Sequence, residues 1–352
     1  MQTIPFLKSD KKHYLSLFRW LCFLSIIIYH SLYLYTTDGW LFSFGNKVYN
    51  YIPFLVDCFF VISGFLLARS FHLNQLPTHF YLKKRLLELL PALILFWLCF
   101  LGIGSLGWMD VNLIDGFKDV LGLSVFGVPL RHNQLNYTWF LYVLFWCNIL
   151  FYGLLGLKKL APFIILGIVL FAGITISFYW IEGNVISPKP YDLLPISFGL
   201  FRGLYATATG VLCGYLSTHL PKHLYHNKDL SYILNIYEVI ILMLSILMLS
   251  QLTHKHFYVN TIPLFGLLLF SLSLEKSVLY KILNIKYFSF GDGFLFGGYI
   301  FSAIVLAGMS HFLAQHPSLT NYGDTIYLLV ILGSLCCGAV TYYMTKKLKK
   351  YF

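Results

Sequence analysis

The chain has 352 residues, of which 58% are hydrophobic, 19% aromatic and only 11% charged. Soluble domains carry about 25% charged residues, so charge this sparse cannot cover a water-facing surface, and a soluble globular enzyme is excluded. The net charge of +11 is spread in short clusters between long apolar runs, which removes the continuous basic face that nucleic-acid binding requires.

A helix needs about 20 apolar residues to cross the hydrocarbon core. Ten segments qualify: 15–35, 52–70, 88–107, 139–156, 160–180, 196–217, 231–252, 257–274, 291–310 and 325–345. The expected fold is therefore all-α, a polytopic integral membrane bundle of about ten transmembrane helices. It should form one domain over 1–352, with no appended soluble domain. The first run lacks a small-residue cleavage site and is followed by further spans, so it reads as a helix and not a removable leader. All seven cysteines lie in apolar stretches without ligand spacing, and neither a disulfide framework nor a metal site is expected.

Lys and Arg set the orientation. With ten alternating spans and a cytoplasmic N-terminus, eighteen of the twenty-five cations fall inside and five outside, while Arg19 and Arg202 lie within spans. Adding or removing one span scrambles that partition, which predicts an N-in, C-in protein.

Ionisable residues inside spans are costly and mark function more often than residues at water-facing positions. The first span carries Arg19 and His30. Eleven residues make three helical turns plus roughly 20°, so both project from one face, about 16 Å apart along the axis. A snorkelling arginine and an interhelical histidine would also give this pair, but histidine is the side chain best suited to proton transfer near neutral pH. The second span opens Asp57-Cys58-Phe59-Phe60-Val61-Ile62-Ser63-Gly64-Phe65, with Asp57, Val61 and Gly64 on one face. Gly64 permits close helix approach, which is expected to hold Asp57 near His30, where a carboxylate would orient the imidazole. A headgroup-zone aspartate is the plainer alternative.

Lys83-Lys84-Arg85 precede Pro91 at the inner entrance of the third span. This is either an ordinary positive-inside flank or an anion site for a phosphorylated donor. The longest hydrophilic stretch, 108–138, leads to Thr138-Trp139-Phe140-Leu141 at the outer start of the fourth span, where an interfacial tryptophan is common.

In this order these pieces resemble the acyltransferase-3 family of bacterial membrane O-acyltransferases. Arg19 and His30 match its Arg-or-Lys, ten residues, His spacing. Asp57 through Phe65 match its D-x-F-F-V-x-S-G-F run, Lys84, Arg85 and Pro91 its basic run before a proline, and Trp139 to Leu141 its W-[SF]-L. Two stretches depart from it. Relatives commonly show an Arg-x-x-x-Arg pair where this chain has Lys84 and Glu88. They also show a late Y-L-x-H run where this chain reads Tyr299-Ile300-Phe301-Ser302.

The resemblance implies an inner-membrane O-acyltransferase using acetyl-CoA as donor, with no metal. The acceptor it implies is a periplasmic or lipid-linked carbohydrate such as lipopolysaccharide O-antigen. The roles it implies are His30 and Asp57 as catalytic, Arg19, Lys84 and Arg85 as donor-binding, and Thr138 and Trp139 as substrate-binding. His30 would act as general base or carry the acyl group transiently, and the acceptor would enter beneath the 108–138 and 181–195 stretches. Two other classes compete: a transporter or flippase for a lipid-linked sugar or small anion, and a non-catalytic assembly partner. Transporters often show repeated halves with broken helices, and this sequence has no such symmetry.

Overall fold

The structure, a computed structural model, describes residues 13–34, 40–41, 43–44, 52–105, 114, 118, 139–181, 198–220, 229–250, 257–289 and 292–348. Among the described residues every regular element is a helix. Ten are long: α1 (His13–Ser31), α2 (Ile52–Asn74), α3 (Thr78–Ser105), α4 (Trp139–Leu155), α5 (Ala161–Ile181), α6 (Phe198–His219), α7 (Leu230–Ser250), α8 (Phe257–Ser273), α10 (Asp292–Gln315) and α11 (Gly323–Leu348). A short helix α9 (Val278–Leu283) follows α8, N-capped by the Ser277 side chain, which accepts from the Tyr280 N–H. Each long helix sits on one of the ten predicted segments.

Seven helices in this set are long and apolar enough to cross a membrane: α1, α2, α3, α5, α7, α10 and α11. α4 and α8 are apolar but shorter, and α6 has the length without the apolarity. The composition of α6 follows from its place. It packs against α2, α4, α5 and α8, so its Gly, Thr and Arg residues face protein. α5 and α7 lie at the periphery and expose large apolar side chains, Phe163, Phe171, Ile236 and Ile246 among them. Soluble monomers do not present apolar surface on this scale. This is a membrane-embedded, multi-pass helical protein.

α2 and α6 form the axis. A Cβ on Gly64 would collide with the Thr207 carbonyl, and one on Gly210 with the Val61 carbonyl, so the two backbones touch without side chains between them. Asp57 meets Arg202 at one end, and His72 faces His219 at the other, ring centroids 5.3 Å apart. The pair therefore runs parallel. α1 packs on α2 and on the α10–α11 pair, which approach closely at Gly298 and Gly338.

The tertiary contacts sort the helix ends into two sets. One end joins Tyr14 to Tyr280, Tyr81 to Tyr152, His72 to His219, and the Ser231 hydroxyl to the Lys276 carbonyl. The other joins Asp57, Arg202 and Trp139, the Tyr205 hydroxyl to the Val259 carbonyl, and the Asp324 carboxylate to the N–H groups of Trp40 and Leu41. Successive long helices run back and forth between these ends. Lys83, Lys84, Lys158, Lys159, Lys276, Lys281, Lys286, Lys346 and Lys347 all belong to the first set.

The predicted elements differ from the observed ones most at α3. The third span was expected from about residue 88, with Lys83-Lys84-Arg85 before it, but the helix begins at Thr78 and contains the basic run. Lys, Arg and Glu are strong helix formers, and Arg85 pairs with Glu88 three residues on, so the helix extends into water past its apolar part.

Candidate active site

The site is built from the start of α2 upward. Asp57 is fully buried and Arg202 is 3% exposed. Arg202 Nη2 donates to both carboxylate oxygens, each at 3.2 Å. Charges this deep cost several kcal/mol each unless paired and hydrogen-bonded, which is why the two occur together. The Arg202 guanidinium also lies over the Trp139 indole, 5.5 Å from its ring centroid, in a cation–π contact. Three helices thus meet on one charge.

Aromatic side chains lock the same region. Phe60 packs on Phe140 at 4.7 Å and on Trp139 at 6.1 Å, and Phe59 meets Phe140 edge-on at 5.7 Å. Tyr299 of α10 closes on Phe140 at 5.4 Å. The Asp57–Phe65 and Trp139–Leu141 runs, far apart in sequence, are therefore two halves of one interlocked surface, and the divergent Tyr299–Ser302 stretch supports it from behind. One turn beyond Phe60, the Ser63 hydroxyl donates to Asn148 Oδ1 at 3.1 Å, tying α2 to α4 again. Asp57, Val61 and Gly64 share a face as expected, and that face is turned to α6. Gly64 makes its close approach to Thr207 of α6 and not to α1.

His30 lies half-buried in the last turn of α1, edge-on to Tyr29 with centroids 5.1 Å apart. It reaches the same end of the bundle as Asp57. α1 is unbroken from His13 to Ser31, so the rise from the half-buried Arg19 to His30 is about 16 Å, as its spacing requires. Both oxygens of the carboxylate expected to orient His30 accept from Arg202, a residue that the sequence placed within a span but that no acyltransferase motif singled out. An arginine in an otherwise membrane-crossing segment, with an aspartate in another, was the available signal. Thr138 lies outside the described residues, as do 108–138 and 181–195 apart from Ile114, Lys118 and Ile181.

At the opposite end Lys83 and Lys84 are exposed. Arg85 is committed along its own helix: its Nε donates to the Tyr81 hydroxyl and its Nη1 to Glu88, both at 2.9 Å. Tyr81 stacks on Tyr152 at 3.8 Å, and the Tyr152 hydroxyl donates to the Leu76 carbonyl. Among the described residues no three His, Cys, Asp or Glu side chains come together as a metal site would require.

A family model described as an acyltransferase domain matches residues 12–347, nearly the whole chain. The chain belongs to the acyltransferase-3 family. Neither a curated protein nor a solved structure matches it significantly. Family membership makes this a membrane acyltransferase. The half-buried His30 and the buried Asp57 and Arg202 stand at one end of a bundle whose other end carries nine of the described lysines, Lys83 and Lys84 among them.

Proposed function

We propose that the protein transfers an acyl group, acetyl foremost, from cytoplasmic acyl-CoA to a hydroxyl of a cell-surface carbohydrate such as lipopolysaccharide O-antigen. It would sit in the bacterial inner membrane with ten spans, both termini in the cytoplasm. The observation that carries this reading is the polarity of the bundle. Nine of the ten described lysines gather at one end, where CoA phosphates need cations. The half-buried His30 and the Asp57–Arg202–Trp139 group lie at the other, a pantetheine length away along α1. The alternation of helix ends supports ten crossings, and the lysine-rich end would be cytoplasmic.

In the reaction His30 accepts the proton of the acceptor hydroxyl. The oxygen attacks the thioester carbonyl, the C–O bond forms, the C–S bond breaks, and the CoA thiolate leaves and takes up the proton. Arg19 and the Lys84–Arg85 region hold the donor; Trp139, with Thr138 beside it, borders the acceptor. The test is mass spectrometry of surface polysaccharide with and without the gene, paired with release of labelled acyl from acetyl-CoA by purified protein. An increment of one acetyl per modified sugar is expected. Unchanged polysaccharide together with no acyl release would refute the reading. A reporter fused after Phe352 should be active in the cytoplasm, and periplasmic activity would overturn the orientation.

A further inference from the structure

We propose that Arg202 is the positioning residue of this acyl transfer, aligning the acceptor-side wall at Trp139 with the Asp57 carboxylate. The proposal rests on the acyltransferase reading and adds to it a residue that no recognised motif contains. Three observations converge. One nitrogen, Nη2, serves both Asp57 oxygens, so the carboxylate is held at both of its atoms and its charge is already compensated. That leaves Asp57 poorly suited to serve as a free proton acceptor, and its influence passes through Arg202. The guanidinium lies over the Trp139 indole, so the same cation that holds the acid fixes the tryptophan. Finally, α6 cannot shift to adapt, because Gly64 and Gly210 bring its backbone against that of α2, and Gly203 lets Val143 of α4 approach.

A planar guanidinium can pair with a carboxylate and lie over an aromatic ring at once, whereas an ammonium supplies only a point charge. Arg202→Lys therefore keeps the ion pair and loses the flat contact with Trp139. That separates positioning from mere stability, since loss of folded protein lowers all rates together and moves neither KM.

The experiment measures kcat and both KM values on purified, normalised protein for Arg202→Lys and for the charge-free pair Asp57→Leu/Arg202→Met. Arg202→Lys should raise the acceptor KM about tenfold, with the acyl-CoA KM within about twofold of wild type. The double variant, which removes both buried charges together, should accumulate normally yet lose about 100-fold in kcat, the scale of a small misplacement at a reaction centre. Wild-type kinetics in the double variant would overturn the proposal and make the pair purely structural. An Arg202→Lys effect confined to the acyl-CoA KM would also overturn it. Wild-type protein that releases no acyl group at all would instead sink the acyltransferase reading on which the proposal stands.

Discussion

The two ends of the bundle hold their charges in opposite ways. At the Asp57 end one ion pair is buried, shared among α2, α4 and α6, and surrounded by aromatic rings. At the lysine-rich end Arg85 and Glu88 pair within one helix, 35% and 27% exposed, beside the freely exposed Lys83 and Lys84. The first arrangement is bought with desolvation and returns a single fixed geometry. The second costs little and leaves the charges free to rearrange around a ligand. Under the proposed function, the step that needs alignment would fall at the first end and recognition of the flexible CoA polyanion at the second.

Mutations should divide along the same line. The largest effect is expected from His30→Ala, which should abolish acyl transfer while the protein still inserts and accumulates. Wild-type acylation by a well-expressed variant would remove His30 from the mechanism. Next comes Asp57→Ala, which strands the Arg202 charge and should cost about 3–5 kcal/mol of stability. Thermal unfolding in detergent reads this directly, and an unchanged midpoint would mean that water reaches Arg202 and the end is not dry.

Arg19→Ala should act on the donor alone. Loss of one charge-assisted hydrogen bond costs about 1.5–3 kcal/mol, which predicts a rise of about 10- to 150-fold in acyl-CoA KM with the acceptor KM nearly constant. A shift confined to the acceptor KM would mean that CoA docks elsewhere. The smallest change is expected from Glu88→Gln. It frees Arg85 from an exposed pair worth about 0–1 kcal/mol, so acyl-CoA binding should tighten by at most about fivefold. Weaker binding would show that Glu88 holds Arg85 in place for the donor.

Much of the helical layout was legible because apolar runs of spanning length are an unambiguous signal, and α1, α2 and α4 begin within a few residues of where those runs start. The start of α3 was missed because charged residues that extend a helix into water look, to a hydropathy window, like a loop. The candidate site was only half legible. Arg19, His30, Asp57 and Trp139 stand out locally, but Asp57 and Arg202 are 145 residues apart, and no periodicity reports which helix a buried acid will face. The Gly210–Gly214 spacing in α6 was a clue: small residues four apart on one helix and Gly64 on another mark two surfaces able to meet.

The meagre apolarity of α6 bears on how the protein is made. A segment carrying Arg202 in its second turn, followed by glycines and threonines, gains little from entering lipid by itself. An arginine within a span adds a cost of up to about 2.5–3.5 kcal/mol, the value at the helix centre, to leaving the translocon. By the time α6 emerges from the ribosome, α2 has already been synthesised with Asp57 and Gly64 waiting. Biogenesis should therefore proceed by capture, α6 partitioning into the membrane against α2 and not into bare lipid. A reporter carrying α6 alone should integrate poorly, and one carrying α2 through α6 should integrate well unless Asp57 is replaced. Efficient integration of the isolated segment would show that α6 needs no such partner.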